Sequence, residues 1–426
     1  MSPYRLACLS YIALALPAST LGLLWPSMRL SVHQPVAALG AFLVVGTAAS
    51  VIASLAYQRF LARIATSVVA AGGAGAVSSA LVLESLAPSF AVLLIGSALF
   101  SLGFGSLDTA VNAYGAQRFG PRQNNWAHAA YSLGAVLGPL LVANLLSAGT
   151  GWRWALAAVA VPPGCVSLLL LAYRARWRPL AVASVAHVPA TAAAAHGTAG
   201  GPASYAPGPE PTPRQRALPS TAAPARFTSS TLPVTALVRL GAALAFCALE
   251  TGAESAAGIW GFLYLVDARA MSTAGAGLVL SAYWATMFAG RAVLGQLAES
   301  LGAFRVMSSA VVAVAAGAAL MAVRGSTGLA VAGLLLIGTG CAPLFPLMNA
   351  TTADRWASHG SRAVTRVASL QVAASTLGGA AVPVGAGLVL NAHHAGALAP
   401  VLVVATLAMT VAYVPVSRGP RRRPVP

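Results

Sequence analysis

The feature that most constrains this chain is a series of long apolar stretches that recurs from one end of the sequence to the other. A bilayer core requires about 20 apolar helical residues per crossing, and these stretches reach that length. Charged residues make up 8% of the 426 residues, whereas a soluble domain carries about 25%. Because so little charge cannot cover a surface in water, the sequence predicts an all-α membrane protein whose exterior faces lipid.

Twelve stretches have the length and composition of a transmembrane helix. They are 4–24, 36–56, 64–83, 91–115, 127–148, 152–174, 235–262, 273–295, 304–323, 327–350, 363–391 and 397–416. The first continues past the usual length of a signal-peptide core and is followed by Trp25 and Pro26 at the expected interface. We therefore interpret it as a retained span.

The arginines indicate the orientation of these spans. The chain has no lysine, so all 25 basic residues are arginines. With a cytoplasmic N-terminus, nineteen arginines fall in cytoplasmic segments and four in external ones, while Arg239 and Arg291 lie inside spans near their cytoplasmic ends. Positive residues concentrate on the cytoplasmic side of membrane proteins. The distribution predicts that both the N- and the C-terminus are cytoplasmic.

A polar segment divides the spans into two sets of six. Residues 179–232 are rich in Ala, Pro, Gly, Ser and Thr and have no apolar periodicity. Such a segment cannot bury enough apolar area to fold alone, so we predict a disordered cytoplasmic linker. The predicted organisation is a six-helix bundle over 1–178, the linker, a second six-helix bundle over 233–417, and a basic cytoplasmic tail over 418–426.

The two halves repeat a short pattern. Ala130 to Pro139 in the fifth span and Ala374 to Pro383 in the eleventh share A-x-[S/T]-L-G-[A/G]-x-x-x-P. A weaker repeat aligns Gly103-x-Gly105 in the fourth span with Gly338-x-Gly340 in the tenth. Six plus six spans with a central cytoplasmic linker are typical of transporters built from two parallel halves.

The loop after the eighth span carries the clearest motif. It reads GQLAESLGAFR from Gly295 to Arg305 and includes Glu299 and Gly302. This loop resembles the cytoplasmic signature of the major facilitator superfamily, and the whole chain is similar to that family. The resemblance implies a cytoplasmic gate formed by these four residues together with Arg291. Ser300 stands where an arginine is usual in the family, and the matching loop of the first half lacks the acid.

Three further stretches resemble the fucose-permease-like, sugar-type branch of the family. They are LGFGSLDTAVNAYG (102–115), NNWAHAAYSLGAVLGP (124–139) and TGAESAAGIWGFLYL (251–265). The last contains Trp260 and Tyr264, which we interpret as packing or interfacial residues near the outer end of the seventh span.

Three of the eight acids lie inside predicted spans, where a charged group is costly and is usually functional. Glu250 and Glu254 are four residues apart and share a helix face in the seventh span. Burial favours the neutral carboxyl, and two adjacent carboxyls disfavour double ionisation, so the pair is a candidate proton carrier. The alternative is that one of them only accepts a hydrogen bond from a neighbouring helix. Which of the two titrates is left open.

The third acid, Asp108, lies four residues from Asn112 in the fourth span. Proton coupling, binding of a substrate hydroxyl, and a structural contact to the fifth span near His128 or to a gate arginine are all compatible with it. Further cavity candidates are polar or aromatic residues within spans of the second half: Tyr283, Trp284, Asn349 and Gln371.

Motifs for other chemistry are missing from the sequence. No GxxxxGK[ST] loop, metal motif or basic nucleic-acid patch occurs, so we expect no enzyme, cofactor, metal site or nucleic-acid partner. The family resemblance implies a multi-pass transporter of a bacterial-type plasma membrane. We expect a monomer in the lipid bilayer that moves a small, sugar-like solute by alternating access in symport with protons.

Two alternatives to symport are open. Gly134, Gly138 and Pro139 resemble part of the fifth-helix signature of proton-coupled exporters of drugs or metabolites. Those exporters usually carry an arginine in the fourth span, and none lies between Arg63 and Arg118. The other alternative is a non-transporting membrane sensor or scaffold, which would need a folded domain outside the membrane.

Overall fold

The computed structural model describes residues 1–59, 64–177 and 233–417, and every regular element in these ranges is a helix. The first half contains α1 (Pro3–Ala18), α2 (Leu21–Ser31), α3 (Leu39–Arg59), α4 (Thr66–Ser85), α5 (Phe90–Arg118), α6 (Pro121–Ser147) and α7 (Trp152–Ala172). The second half contains α8 (Val234–Leu263), α9 (Thr273–Leu301), α10 (Ala303–Ala322), α11 (Thr327–Ala350), the short α12 (Thr352–Trp356), α13 (Ser361–Ala392) and α14 (Leu398–Ser417). The predicted linker over 179–232 and the tail over 418–426 lie outside the described residues.

Ten of these helices are long and apolar enough to cross a membrane, and an eleventh span is present if the bent pair α1 and α2 counts as one. Pro17 lies in the last turn of α1, and the two helices meet at an angle of 44°. A proline removes a backbone hydrogen bond and so accounts for the bend. The eighth predicted span corresponds to α9, which has 29 residues and is not among those ten. The count of twelve therefore stays a prediction.

Glu84 lies inside a helix and not in the loop that the sequence predicts. The predicted span over 64–83 leaves this acid in a loop, but α4 continues to Ser85, and Glu84 is buried against Gly96 of α5. The glycine leaves room for the carboxyl side chain between the two helices, so the helix can continue past the last apolar residue.

Helix pairs recur in the two halves. In the first half α1 packs on α6, α3 on α5 and α4 on α5, and in the second half α8 packs on α13, α9 on α11 and α10 on α11. We call the end of the bundle that holds Pro3 and Ser417 the terminal face and the opposite end the distal face. At the terminal face the rings of Tyr4 and Phe119 are in edge-to-face contact, and Tyr413 donates a hydrogen bond to the Phe304 carbonyl.

Glycines at equivalent places bring these paired helices into backbone contact. Gly134 of the repeated pattern packs against the Ile12 carbonyl of α1, and its counterpart Gly378 packs against the Ala248 carbonyl of α8. Small residues allow helices to approach this closely within a membrane. The stronger sequence repeat thus corresponds to a repeated helix contact.

The weaker repeat is wrong in register. Gly103 packs against Gly73 of α4, whereas Gly338, its predicted counterpart, faces Tyr283 of α9. The residue of the second half that makes the contact equivalent to Gly103 is Gly333, which packs against Gly317 of α10. Glycines are frequent in both helices, so letter matching alone aligned positions that lie on different helix faces.

The halves meet closely on the distal side. Gly22 of α2 lies against the Ile259 backbone of α8, Gly40 lies against Val384 of α13, and Gly277 of α9 lies against Ala143. A side chain at Gly22 or Gly277 would overlap the other half of the molecule. The conformation described therefore has its distal side closed.

Candidate functional site

The two acids of α8 lie in the interior of the bundle. Glu250 is 1% exposed and Glu254 is 3% exposed, and their spacing places both on one helix face. The helix between and beyond them is rich in Gly, Ala and Ser, and Gly252 lies beside the Gly378 carbonyl of α13. Small residues thus bring α13 close to the part of α8 that carries the acids.

Glu254 has a basic partner on the next helix. Its Oε1 lies 3.9 Å from Nη2 of Arg291, whose side chain is 20% exposed, and Tyr283 donates a 2.9 Å hydrogen bond to the Glu254 carbonyl. The pair therefore joins α8 to α9. Opposite charges attract strongly where water is scarce, so the charge state of Glu254 affects where the guanidinium group lies.

Glu250 has a different environment. The Thr251 hydroxyl lies 3.0 Å from Oε2 of Glu250 and 3.0 Å from Oγ of Ser375 on α13. Oε1 of Glu250 has no hydrogen-bond partner among the described residues. One carboxyl of the pair thus faces a cation and the other a chain of hydroxyl groups.

Arg291 and Trp284 face the opposite half of the molecule. Together with Met287 they line a small pocket whose other wall is formed by Tyr131 and Ser132 of α6. The pocket is about 10 Å³, which is roughly the space of one water molecule. The halves must therefore separate at this point before a solute can be held between them.

The predicted pair in the fourth span forms a cluster in the first half. Nδ2 of Asn112 donates a 2.9 Å hydrogen bond to Asp108, and the Tyr11 hydroxyl of α1 donates a 2.7 Å bond to Oδ1 of Asn112. Tyr11 also stacks on His128 of α6, with ring centroids 5.1 Å apart, and lies beside Tyr131. This cluster links α1, α5 and α6 and adjoins Tyr131, which lines the small pocket between the halves. We call that pocket the central pocket.

Two further candidates lie closer to the terminal face. Gln371 is fully buried, and its Oε1 accepts a 2.8 Å hydrogen bond from Thr352 of α12. Asn349 lies one residue before the end of α11. Arg355 of α12 donates a hydrogen bond to the Met348 carbonyl, and burial lowers the pKa of Arg355 to about 10, so it is protonated at neutral pH. These residues form a polar layer near the ends of α11 and α13 that lie toward the terminal face.

No group of three or more His, Cys, Asp or Glu side chains within the described ranges is arranged to hold a metal ion. The polar groups that converge in the interior are carboxyls, hydroxyls, a guanidinium group and indole or phenol rings. These groups suit hydrogen bonding to a small organic solute and the transfer of protons.

The family model of the Major Facilitator Superfamily matches residues 7–383. The chain belongs to this superfamily. It is accordingly a multi-pass membrane protein of a transporter family, and that family's members are generally not enzymes. No curated protein is significantly similar to the chain.

Solved structures of other transporters share the fold. The nucleoside transporter NupG superposes with a TM-score of 0.66 at 16% identity, covering 97% of this chain and 100% of that one. The human organic anion transporter MFSD10 gives 0.57 at 17% identity, covering 97% and 100%. FucP in the outward conformation gives 0.55 at 15% identity, covering 96% and 97%.

The residues predicted to form the gate lie at the end of α9 and the start of α10. Gly302 has a φ of 88°, a backbone conformation that favours glycine, and it ends α9 just before α10 begins at Ala303. Arg305 is exposed in the first turn of α10. Gly295 and Glu299 lie within α9, but their surroundings are outside the described side chains. Arg291, the fifth predicted gate residue, extends to Glu254 in the interior.

The remaining aromatic candidates fill the helix interfaces. Trp260 is buried and donates a 2.8 Å hydrogen bond to the Pro383 carbonyl, and Tyr264 donates to the Met321 carbonyl. Tyr283 is buried behind Trp284, with the two rings in edge-to-face contact at 5.2 Å. Trp284 is therefore the aromatic residue of this group that reaches the central pocket.

Tyr11 and Tyr131 are site residues that the sequence analysis did not single out. They lie in the first and fifth spans of a transporter whose other spans also contain tyrosines. Tyr131 stands next to the start of the repeated pattern, which was the available signal. Its position opposite Arg291 depends on how the halves pack, and the pattern contains no information on that packing.

Proposed function

We propose that this chain is a proton-coupled symporter that moves a small polar solute across a membrane by alternating access. The observation that carries the proposal is the buried pair of Glu254 and Arg291 beside the pocket between the halves. When Glu254 is ionised it attracts the guanidinium group of Arg291. A proton on Glu254 removes that attraction and frees Arg291 to bind solute or to contact Tyr131 and Ser132 of the other half.

Glu254 is the proposed coupling residue, and Glu250 is proposed to tune it. A carboxylate at Glu250 opposes ionisation of its neighbour one turn away. Glu250 has the Thr251 hydroxyl as its hydrogen-bond partner, and Ser375 lies beside that hydroxyl. Its partner is therefore a neutral group, whereas that of Glu254 is a cation. The Asp108 cluster is proposed as the solute-binding wall of the first half, because its amide and phenol groups can bond to hydroxyl groups.

The proposed transport cycle begins from a conformation closed on the distal side. Solute and proton are released or taken up at the terminal face, and the halves then rock around the central pocket. The family resemblance favours a sugar-like solute, and the fold it shares with a nucleoside transporter adds nucleosides to the candidates. We further propose that the protein is a monomer in a bacterial-type plasma membrane with both termini in the cytoplasm.

Reconstituted full-length protein tests this proposal. Vesicles with an alkaline interior are supplied with sugars, nucleosides and organic anions, and the uptake of each solute is measured. Counterflow of the same solutes is measured in vesicles without a pH gradient, and the two results are compared. A symporter accumulates its solute in these vesicles, whereas a proton-coupled exporter accumulates it only when the interior is acidic. Transport of no solute under either gradient favours the sensor or scaffold alternative.

Glu254→Gln mimics the protonated acid, because the amide keeps the size and hydrogen bonding of a neutral carboxyl. We expect gradient-driven accumulation to fall to the equilibrium level while counterflow continues. Glu250→Gln should keep more of the accumulation, and Asp267→Asn, at an exposed position on the distal face, is the matched control. Unchanged accumulation in Glu254→Gln with unchanged pH dependence would remove Glu254 from the coupling mechanism.

A further inference from the structure

A second cleft lies in the second half, away from the central pocket. Its volume is about 1150 Å³, and it opens at the distal face. Its walls are formed by α13 and α14, and Leu249 of α8 lies at its deep end. Val404 is 68% exposed and Val389 is 37% exposed on these walls. The cleft therefore opens sideways to the lipid as well as toward the distal face.

The length of the cleft matches one leaflet of a bilayer. Along α14 its lining runs from Ala399 to Ala408. The nine steps between these residues correspond to about 14 Å at a rise of 1.5 Å per residue. Half of a typical hydrocarbon core is about 15 Å. An acyl chain that enters from the distal face would thus reach the deep end of the cleft near the middle of the membrane.

Small residues keep the cleft open. Gly385 of α13 lines it, and a side chain added there would meet no atom within 4 Å. Ala386 and Ala405 also contribute to the walls. The walls present methyl and methylene groups, so they suit a hydrocarbon chain and offer few hydrogen bonds to a polar solute.

The mouth of the cleft is basic. Arg324, His393 and His394 are exposed there, and Arg269 lies beside them. Arg269 is held in place by hydrogen bonds of 2.6 Å to the Tyr264 hydroxyl and 2.6 Å to the Met321 carbonyl. The nearest acid in sequence, Asp267, is exposed but is not part of the lining. An anionic group is therefore favoured at the mouth, directly above an apolar channel.

We propose that this cleft binds an anionic phospholipid from the leaflet at the distal face. The phosphate would lie at Arg324, His393 and His394, and one acyl chain would lie between α13 and α14. Basic residues at the membrane surface attract anionic lipid headgroups, and the chain gains from apolar contact along the whole cleft. A free anion would satisfy only the mouth, which is why a lipid is the proposed occupant.

Native mass spectrometry of the full-length protein in detergent tests the proposal, with phosphatidylglycerol and phosphatidylcholine of identical acyl chains as probes. We expect wild type to retain one phosphatidylglycerol molecule in preference to phosphatidylcholine. Arg324→Gln should weaken that retention about fivefold, the effect of one basic residue at a membrane surface. Gly385→Leu should also weaken it, because the added side chain narrows the cleft where the acyl chain would lie.

The controls are Gly72→Leu and Arg366→Gln. Gly72 is exposed on α4 and, like Gly385, has no atom within 4 Å of an added side chain, while Arg366 is an exposed arginine at the terminal face. Both controls should retain the lipid as wild type does. Equal retention in Gly385→Leu, equal binding of both lipids, or displacement of the lipid by inorganic phosphate alone would each overturn the proposal. Failure of proton-coupled transport would leave it untouched, because the cleft shares no residue with the central pocket.

Discussion

At the scale of single residues, the partner of a buried charge determines what that charge can do. Glu250 and Glu254 occupy the same helix face, yet one lies beside hydroxyl groups and the other beside Arg291. The scarcity and spacing of the acids were enough to predict the pair. The pairing with Arg291 was not predictable, because that residue lies on the next helix and its direction depends on how α8 and α9 pack.

A double-mutant cycle measures this ion pair. Removing one partner leaves a buried charge without compensation, so Arg291→Gln and Glu254→Gln should each lower stability, and the double variant should lose less than their sum. We expect a coupling free energy of about 1–3 kcal/mol for residues in contact. Thermal unfolding in detergent gives the measurement, with Arg366→Gln, at an exposed position, as the control. Strict additivity would show that the two side chains do not interact.

At the scale of helices, glycine positions rather than apolar periodicity fix which faces meet. Most of the twelve predicted stretches match a helix closely, but the first is divided into α1 and α2, and α6 and α9 each extend six residues beyond a predicted end. Apolar residues surround these helices on all sides and do not mark the packed face. Gly73 and Gly103 meet in the first half, and Gly317 and Gly333 meet in the second. The misaligned weaker repeat shows that glycine content alone does not identify such contacts.

Adjacent glycines on α4 provide a matched test. An added Cβ at Gly73 would lie 2.7 Å from the Gly103 carbonyl oxygen, whereas Gly72 has nothing within 4 Å. We therefore expect Gly73→Ala to destabilise the protein by about 1–3 kcal/mol through overpacking. Gly72→Ala should be neutral or stabilising, since alanine is the better helix former. Similar unfolding midpoints for the two variants would contradict the close contact of α4 and α5.

At the scale of the whole molecule, the two halves are held together on the distal side. Gly40 and Val384 face each other across the halves, and an added Cβ at Gly40 would lie 3.8 Å from Cβ of Val384. That separation is the mean for a disulfide. In a variant whose four native cysteines are replaced by alanine, Gly40→Cys with Val384→Cys should cross-link under oxidation and stop transport.

Reduction should restore transport in the cross-linked variant, because the block is mechanical. Gly40→Cys alone should transport under both conditions and serves as the control. Normal transport by the fully cross-linked protein would mean that the distal side does not open during the cycle.

The orientation in the membrane is also a property of the whole chain. Nineteen arginines against four favour cytoplasmic termini. A reporter that is active only in the cytoplasm should therefore be active when it is fused after Pro426 or inserted near Gly200 in the predicted linker. An inactive reporter at either site would overturn the predicted orientation, and a fusion near Gly149, on the distal face, should report the opposite side.

The glycine contacts on the distal side also bear on ion leakage. A carrier that uses a proton gradient dissipates that gradient whenever a file of water connects the two sides of the membrane. At Gly22 and Gly277 backbone and methyl groups of the two halves touch directly, so these two contacts do not depend on a long side chain whose rotation could admit water. In this conformation the protein is expected to be impermeable to protons on its distal side, and larger residues at these glycines should make the membrane leaky as well as slow the carrier.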